Sequence, residues 1–296
     1  LDNNAVEMFD LPNNTPKINM EGIPKIKSKS KVRKENDEQR YNVLVLDTSA
    51  SSSFLDSSGN IFYTADTAID YVKASAKKFI EGVQKADGTN YVAIVEYKGS
   101  TANVVSEFST DFVSLNAAID GLYASQNTRN VAAGLQKADT LINEISNPKA
   151  IKNVVLFTTG MTNDGEYSYD GHYNEDTIGS EWRRSDTQVR LYAYSNAAYA
   201  MAETLKSKAT VYSVGLFQMM ENMPEEGLEI VQFFKLFSSE LATSLEHFYD
   251  VKDPNDLEFI FGEIADKVTT KDVNFYFASG EEKDYEAVCH LSLIHI

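Results

Sequence analysis

The chain has 296 residues, 43% hydrophobic and 11% aromatic, enough apolar mass for one large α/β domain or two small ones. Its formal charge is −17, unevenly placed: residues 1–34 hold seven Lys/Arg against four Asp/Glu, the remainder 20 against 40. So acidic a body repels nucleic-acid phosphates and anionic lipid; no apolar run reaches the roughly 18–20 residues of a bilayer span; and the single cysteine, Cys289, excludes an internal disulfide framework.

In chain order, residues 1–39 are rich in Asn, Pro and Lys, with six positive charges between Lys25 and Lys34. They offer no apolar face and read as a flexible basic linker. Tyr41-Asn-Val-Leu-Val-Leu46 is a buried strand that runs straight into Asp47. Ala65 to Lys85 places Ile69, Val72, Ala76, Phe79, Ile80 and Val83 at helical spacing. Tyr91–Val95 is a second strand, and Asn103–Phe108 alternates weakly, as an edge strand does. Helices follow at about 111–122 and 131–145, then a buried strand at Val154–Phe157. A helix includes Ala197–Lys208, and Thr210–Leu216 is the next strand. A helix at about 225–245, a short strand at His247–Val251 and a helix over 254–268 complete the series. Strands alternating with helices predict an α/β fold: a Rossmann-like, doubly wound, mostly parallel six-stranded sheet flanked by helices on both faces.

Residues 160–188 match neither period. They hold seven Asp/Glu, Tyr167, Tyr169, Tyr173, Trp182 and the pair Arg183-Arg184. Loops of this length inside a compact domain are usually functional or disordered. Its aromatic residues are expected to bind a protein partner, since Tyr, Trp and Arg serve as interface anchors. The alternative is that they pin the loop against the body.

In open α/β sheets, ligands bind beyond the carboxyl ends of the strands. The first strand ends there in Asp47-Thr-Ser-Ala-Ser51, one carboxylate and two hydroxyls on a tight turn. Hard oxygens with little charge suit Mg²⁺ or Mn²⁺. The same residues also suit a metal-free polar turn in which Asp47 accepts bonds from backbone N–H groups. Nucleotide-binding and hydrolase motifs are missing from the sequence, and no histidine stands ready as a base for a nucleophile, so an enzyme is not expected.

The order of elements and this turn resemble the von Willebrand factor type A family and its metal-ion-dependent adhesion site. Asn127-Thr-Arg-Asn-Val-Ala-Ala-Gly-Leu135 is similar to the family's second metal loop, and Asn153-Val-Val-Leu-Phe-Thr-Thr-Gly160 to its fourth-strand motif. The resemblance spans residues 40–269. It implies metal ligation by Asp47, Ser49 and Ser51, with Thr128 joining under a one-residue shift. The chain departs from the family at Ala50, where Gly is usual, at Thr159, where Asp is usual, and at Arg129, which falls on the usual Thr position without the shift. An inward Arg129 would oppose a cation; Asp164, Asp56 or another acid of the 160–188 loop would be available to replace the missing one.

By this resemblance the chain is an adhesion or protein-recognition module working at the carboxyl edge of the sheet, with weak Mg²⁺ or Mn²⁺ binding and an acidic ligand residue completing the ion. It reads as a fragment of a bacterial surface protein, with no membrane insertion and no nucleic-acid partner. The alternatives are a metal-free structural or assembly domain of a pilus-type protein and an intracellular subunit of an ATP-driven complex. Residues 270–290 begin a following segment. Leu291-Ser-Leu-Ile-His-Ile296 resembles the translation of a transposase adapter used in sequencing libraries and is left out of the fold.

Overall fold

A computed structural model describes residues 38–49, 65–174, 177, 186–217, 225–270, 274–278 and 284–288. Residues 1–37 of the basic linker, Ser51, Asp56 and Trp182 lie outside the described residues, while Gln39, read as linker, begins the first strand.

Strand β1 (Gln39–Asp47) is the middle of the sheet, and its period of two is visible in what each side chain meets. Val43 and Val45 join one buried cluster; Leu44 and Leu46 join another on the opposite face. A strand buried on both faces needs this near-continuous apolar run. Each fully buried Val or Leu contributes about 1.5–3 kcal/mol of transfer free energy. The flanking strands repeat the pattern: β2 (Thr89–Lys98), β4 (Ile151–Thr158) and β5 (Thr210–Leu216).

The sheet order is β3-β2-β1-β4-β5-β6, with β6 at Phe248–Val251 and β3 at Thr101–Ser109. All neighbours pair parallel except β2 and β3, which pair antiparallel with register shifts near Ile94. The doubly wound sheet expected from the alternating pattern is present. Helices α1 (Ala65–Lys85), α2 (Phe112–Asp120) and α6 (Leu257–Thr269) cover one face. Helices α3 (Val131–Asn143), α4 (Asp186–Lys206) and α5 (Glu225–Leu241) cover the other. Gly82 lets α1 and α6 approach closely, because a Cβ there would lie 2.6 Å from that of Ala265. Helix α4 starts eleven residues ahead of the apolar stretch that announced it.

Lys34–Thr270 is one compact unit. In a separate unit, β7 (Asn274–Ala278) and β8 (Asp284–Val288) pair as an antiparallel hairpin, which the sequence pattern did not announce.

Topology places the site. The chain leaves β1 for β2 and β3, then crosses back to β4 on the other side of β1. The carboxyl ends of β1 and β4 therefore diverge into helices on opposite sides, which opens a crevice between them. In the register of the pair, Leu46 faces Phe157, so Asp47 and Thr159 close this crevice from its two sides.

Candidate functional site

Asp47 ends β1 with its side chain fully buried. One carboxylate oxygen accepts from the Ser49 backbone N–H at 3.0 Å and the Ser49 hydroxyl at 2.6 Å. The other accepts from the Thr159 N–H at 3.1 Å and the Thr159 hydroxyl at 2.8 Å. The turn after β1 and the turn after β4 thus share one acid, as their places at the switch point require.

Arg129 completes the cluster. Its Nε lies 3.4 Å from Asp47 Oδ2 and donates to Ser49 Oγ at 3.2 Å, and its side chain is only 7% exposed. The backbone around it is fixed from two directions. The Thr128 carbonyl accepts from Gly99 N, in the turn between β2 and β3, at 2.7 Å. Arg129 N donates to Asn163 Oδ1 at 2.9 Å, while Asn163 N donates to the Arg129 carbonyl at 3.0 Å. Asn130 then caps α3, accepting from Ala133 N at 3.0 Å. Gly160 makes room for the guanidinium, since a Cβ there would lie 2.0 Å from Arg129 Nη1.

Beneath this layer Tyr97 is fully buried and donates to the Phe157 carbonyl at 2.8 Å. Burial, and next the nearby charge of Asp47, hold its phenol well above the ordinary tyrosine range. Gly134 brings α3 down onto this floor: a Cβ there would meet Val45 at 2.9 Å and Tyr97 at 3.0 Å.

The predicted ligand set is therefore brought together only in part. Asp47 and Ser49 meet each other and Thr159. Thr128 does not join them: its hydroxyl donates to Asp164 at 2.5 Å, and it is Arg129, at the unshifted position, that turns inward. That corrects the one-residue shift. Asp164 is bonded to Thr128 and to Gly165 N. Tested against Mg²⁺ or Mn²⁺, the arrangement fits poorly: among the described residues it offers a single carboxylate, each oxygen already taking two hydrogen bonds, with a fixed positive charge beside it. Among the described residues no three His, Cys, Asp or Glu side chains converge elsewhere.

The loop after β4 is pinned as a strap. Thr162 is fully buried and accepts from Val131 N at 3.3 Å. Ser168 N donates to the Ala193 carbonyl at 3.0 Å, on α4. The Asn196 amide accepts from Tyr173 N at 2.7 Å and donates to the carbonyls of Ser168 and Tyr173, both at 2.9 Å. The Tyr173 hydroxyl reaches Glu240, in the last turn of α5, at 2.7 Å. Since β5 and β6 begin after α4 and α5, the strap descends from the carboxyl edge toward the opposite one.

This splits the aromatic residues expected to form a recognition surface. Tyr173 is fully buried against Phe233 and Phe237, so it anchors the strap and offers no ring to solvent. Burial and the Glu240 contact push its phenol far up. Tyr167 and Tyr169 are 53% and 48% exposed and pack edge-on at 5.5 Å. They lean on Tyr194 and Tyr192 of α4, at 5.7 and 5.9 Å. Sequence reasoning missed those α4 partners, along with Asn163, Asn196 and Glu240. No local signal marks them, because each acts on a segment distant in the chain.

Residues 42–162 match the model of the von Willebrand factor type A domain. A stretch of 99 residues is 25% identical to the collagen alpha-1(VI) chain of Xenopus laevis, covering 33% of this chain and 10% of that one. Among solved structures, the vWF domain of the type V pili tip protein Mfa5 from Porphyromonas gingivalis superposes with a TM-score of 0.57 at 15% identity, covering 78% of this chain and 95% of that one. The pilus adhesin SpaC from Lactobacillus rhamnosus GG gives 0.59 at 16% identity, covering 79% and 31%. The minor pilin PilB from Streptococcus sanguinis gives 0.55 at 13%, covering 78% and 62%. The chain thus spans a tenth of the collagen chain and under a third of SpaC. The sheet order and the helices on both faces agree with these matches: residues 42–162 match the von Willebrand factor type A model, and the chain has a von Willebrand factor type A-like α/β fold.

Proposed function

We propose that this domain is a protein-recognition module of an extracellular adhesion or pilus-type assembly, and that it holds its partner with the strap along α4. The observation that carries the reading is the pair Tyr167 and Tyr169, half exposed yet held in place by tyrosines of α4 beneath them. Rigid, amphipathic aromatic surface loses little entropy on binding, which suits an anchor. Exposed Glu166 and Asp170 flank the tyrosines, within a body of strong negative charge. The matching partner surface is a protein segment carrying Lys or Arg, drawn in by charge and seated on the ring faces. The names of SpaC, a pilus adhesin, and PilB, a minor pilin, support the setting.

The test is selection of a random peptide phage library on the immobilised chain. Peptides rich in Lys or Arg should emerge and lose at least tenfold in affinity for Tyr167→Ser/Tyr169→Ser. Selected peptides that bind this variant equally well would sink the reading.

A further inference from the structure

We infer that Arg129 is the resident cation of the switch-point crevice, so that the domain sets its carboxyl edge without a divalent ion. A positive charge placed against a buried Asp47 answers the same electrostatic need as a metal, because an isolated carboxylate in a low-dielectric site is costly. Arg129 meets that need from within the chain, at 3.4 Å from the carboxylate.

Three independent observations show that the guanidinium belongs there. Its backbone is clamped on both sides, by the Gly99 turn through the Thr128 carbonyl and by Asn163 through two hydrogen bonds. Gly160 leaves the volume the guanidinium fills, and a methyl group in that place would collide with it. Thr159, where a second acid would repel Asp47 unless a dication lay between them, instead donates two hydrogen bonds to Asp47. An acid at 159 and an arginine at 129 are alternative solutions, and this chain carries the second. The inference concerns the crevice alone and stands apart from the partner surface on the strap.

The experiment is calorimetric titration of the full chain with MgCl₂ and MnCl₂ into the millimolar range typical of weak oxygen sites, with thermal melts in EDTA and in each metal. The natural chain should give no saturable heat and the same melting temperature in all three solutions. Arg129→Thr/Thr159→Asp should gain saturable Mn²⁺ binding and a metal-dependent rise in melting temperature, and adding Asp47→Ala should abolish both. Saturable binding or a metal-dependent melt in the natural chain overturns the inference, whether or not the double variant folds. A folded double variant that binds no metal overturns it too, since Arg129 is then not what closes the crevice.

Discussion

Gly160 and Arg129 occupy one volume between them: a methyl group on the Gly160 α-carbon would sit 2.0 Å from Nη1 of the guanidinium. The backbone of the β4 turn and the long side chain of the α3 loop are thus fitted to each other across the crevice. Gly160→Ala should cost about 1–3 kcal/mol through overpacking. In an Arg129→Ala background the same change should cost much less, and the difference is a direct coupling energy. Urea unfolding of the four proteins measures it, and additive costs would show that the arginine does not fill this space.

Asp47→Ala removes the carboxylate that faces the guanidinium and leaves the hydroxyls and N–H groups of Ser49 and Thr159 without the acceptor they share. Breaking one side of a buried pair costs about 3–5 kcal/mol. Because both side chains are sealed from solvent, raising the salt concentration should not reduce this loss, as it would for a surface pair. Denaturant titrations at low and high KCl check both statements.

The strap depends on one amide. Asn196→Ala deletes one acceptor and two donors, leaving Tyr173 N and the carbonyls of Ser168 and Tyr173 to find water. With each unsatisfied buried group costing about 1–3 kcal/mol, residues 163–174 should open locally before the sheet unfolds. Limited proteolysis should cut the variant within this segment many times faster than the natural chain. An unchanged cleavage rate would mean that Tyr173 and its Glu240 contact suffice to hold the strap.

His247 gives the domain an acid-side slope. Burial first, and then the charge of Lys267, push its imidazole below the ordinary 6.5, against a smaller opposing effect of Glu246. Above pH 6.5 the group is neutral in both states and its contribution to stability is complete. Below that, the unfolded chain takes up the proton first, so stability falls as pH drops through the lowered native value. His247→Gln should flatten the fall in melting temperature between neutral pH and about pH 5.

The sheet was legible because its strands carry their own evidence. The run from Tyr41 to Leu46 is apolar on both faces, and Asp47 stops it at the switch point. The site was legible as a cluster but not as a geometry. Thr128 and Arg129 are neighbours, and only the clamp of the backbone by Gly99 and Asn163 decides which one faces Asp47. The strap was the least readable part. Tyr169 and Tyr173 look alike in sequence, yet one is half exposed and the other sealed under α5, because what separates them is contributed by Asn196 and Glu240 from elsewhere in the chain.

The strap also makes the proposed partner surface a mechanical element. Its upper end is the reciprocal pair of hydrogen bonds between Asn163 and Arg129; its lower end is Tyr173, wedged beside Phe233 and Phe237 and tied to Glu240. Tyr167 and Tyr169 hang between these two fastenings. A pull on them passes into the body through both fastenings and through the bonds that hold Ser168 to Ala193 and Asn196 between them. Arg129 then sustains tension as well as charge, and the sheet's central strand is the beam to which the line is made fast.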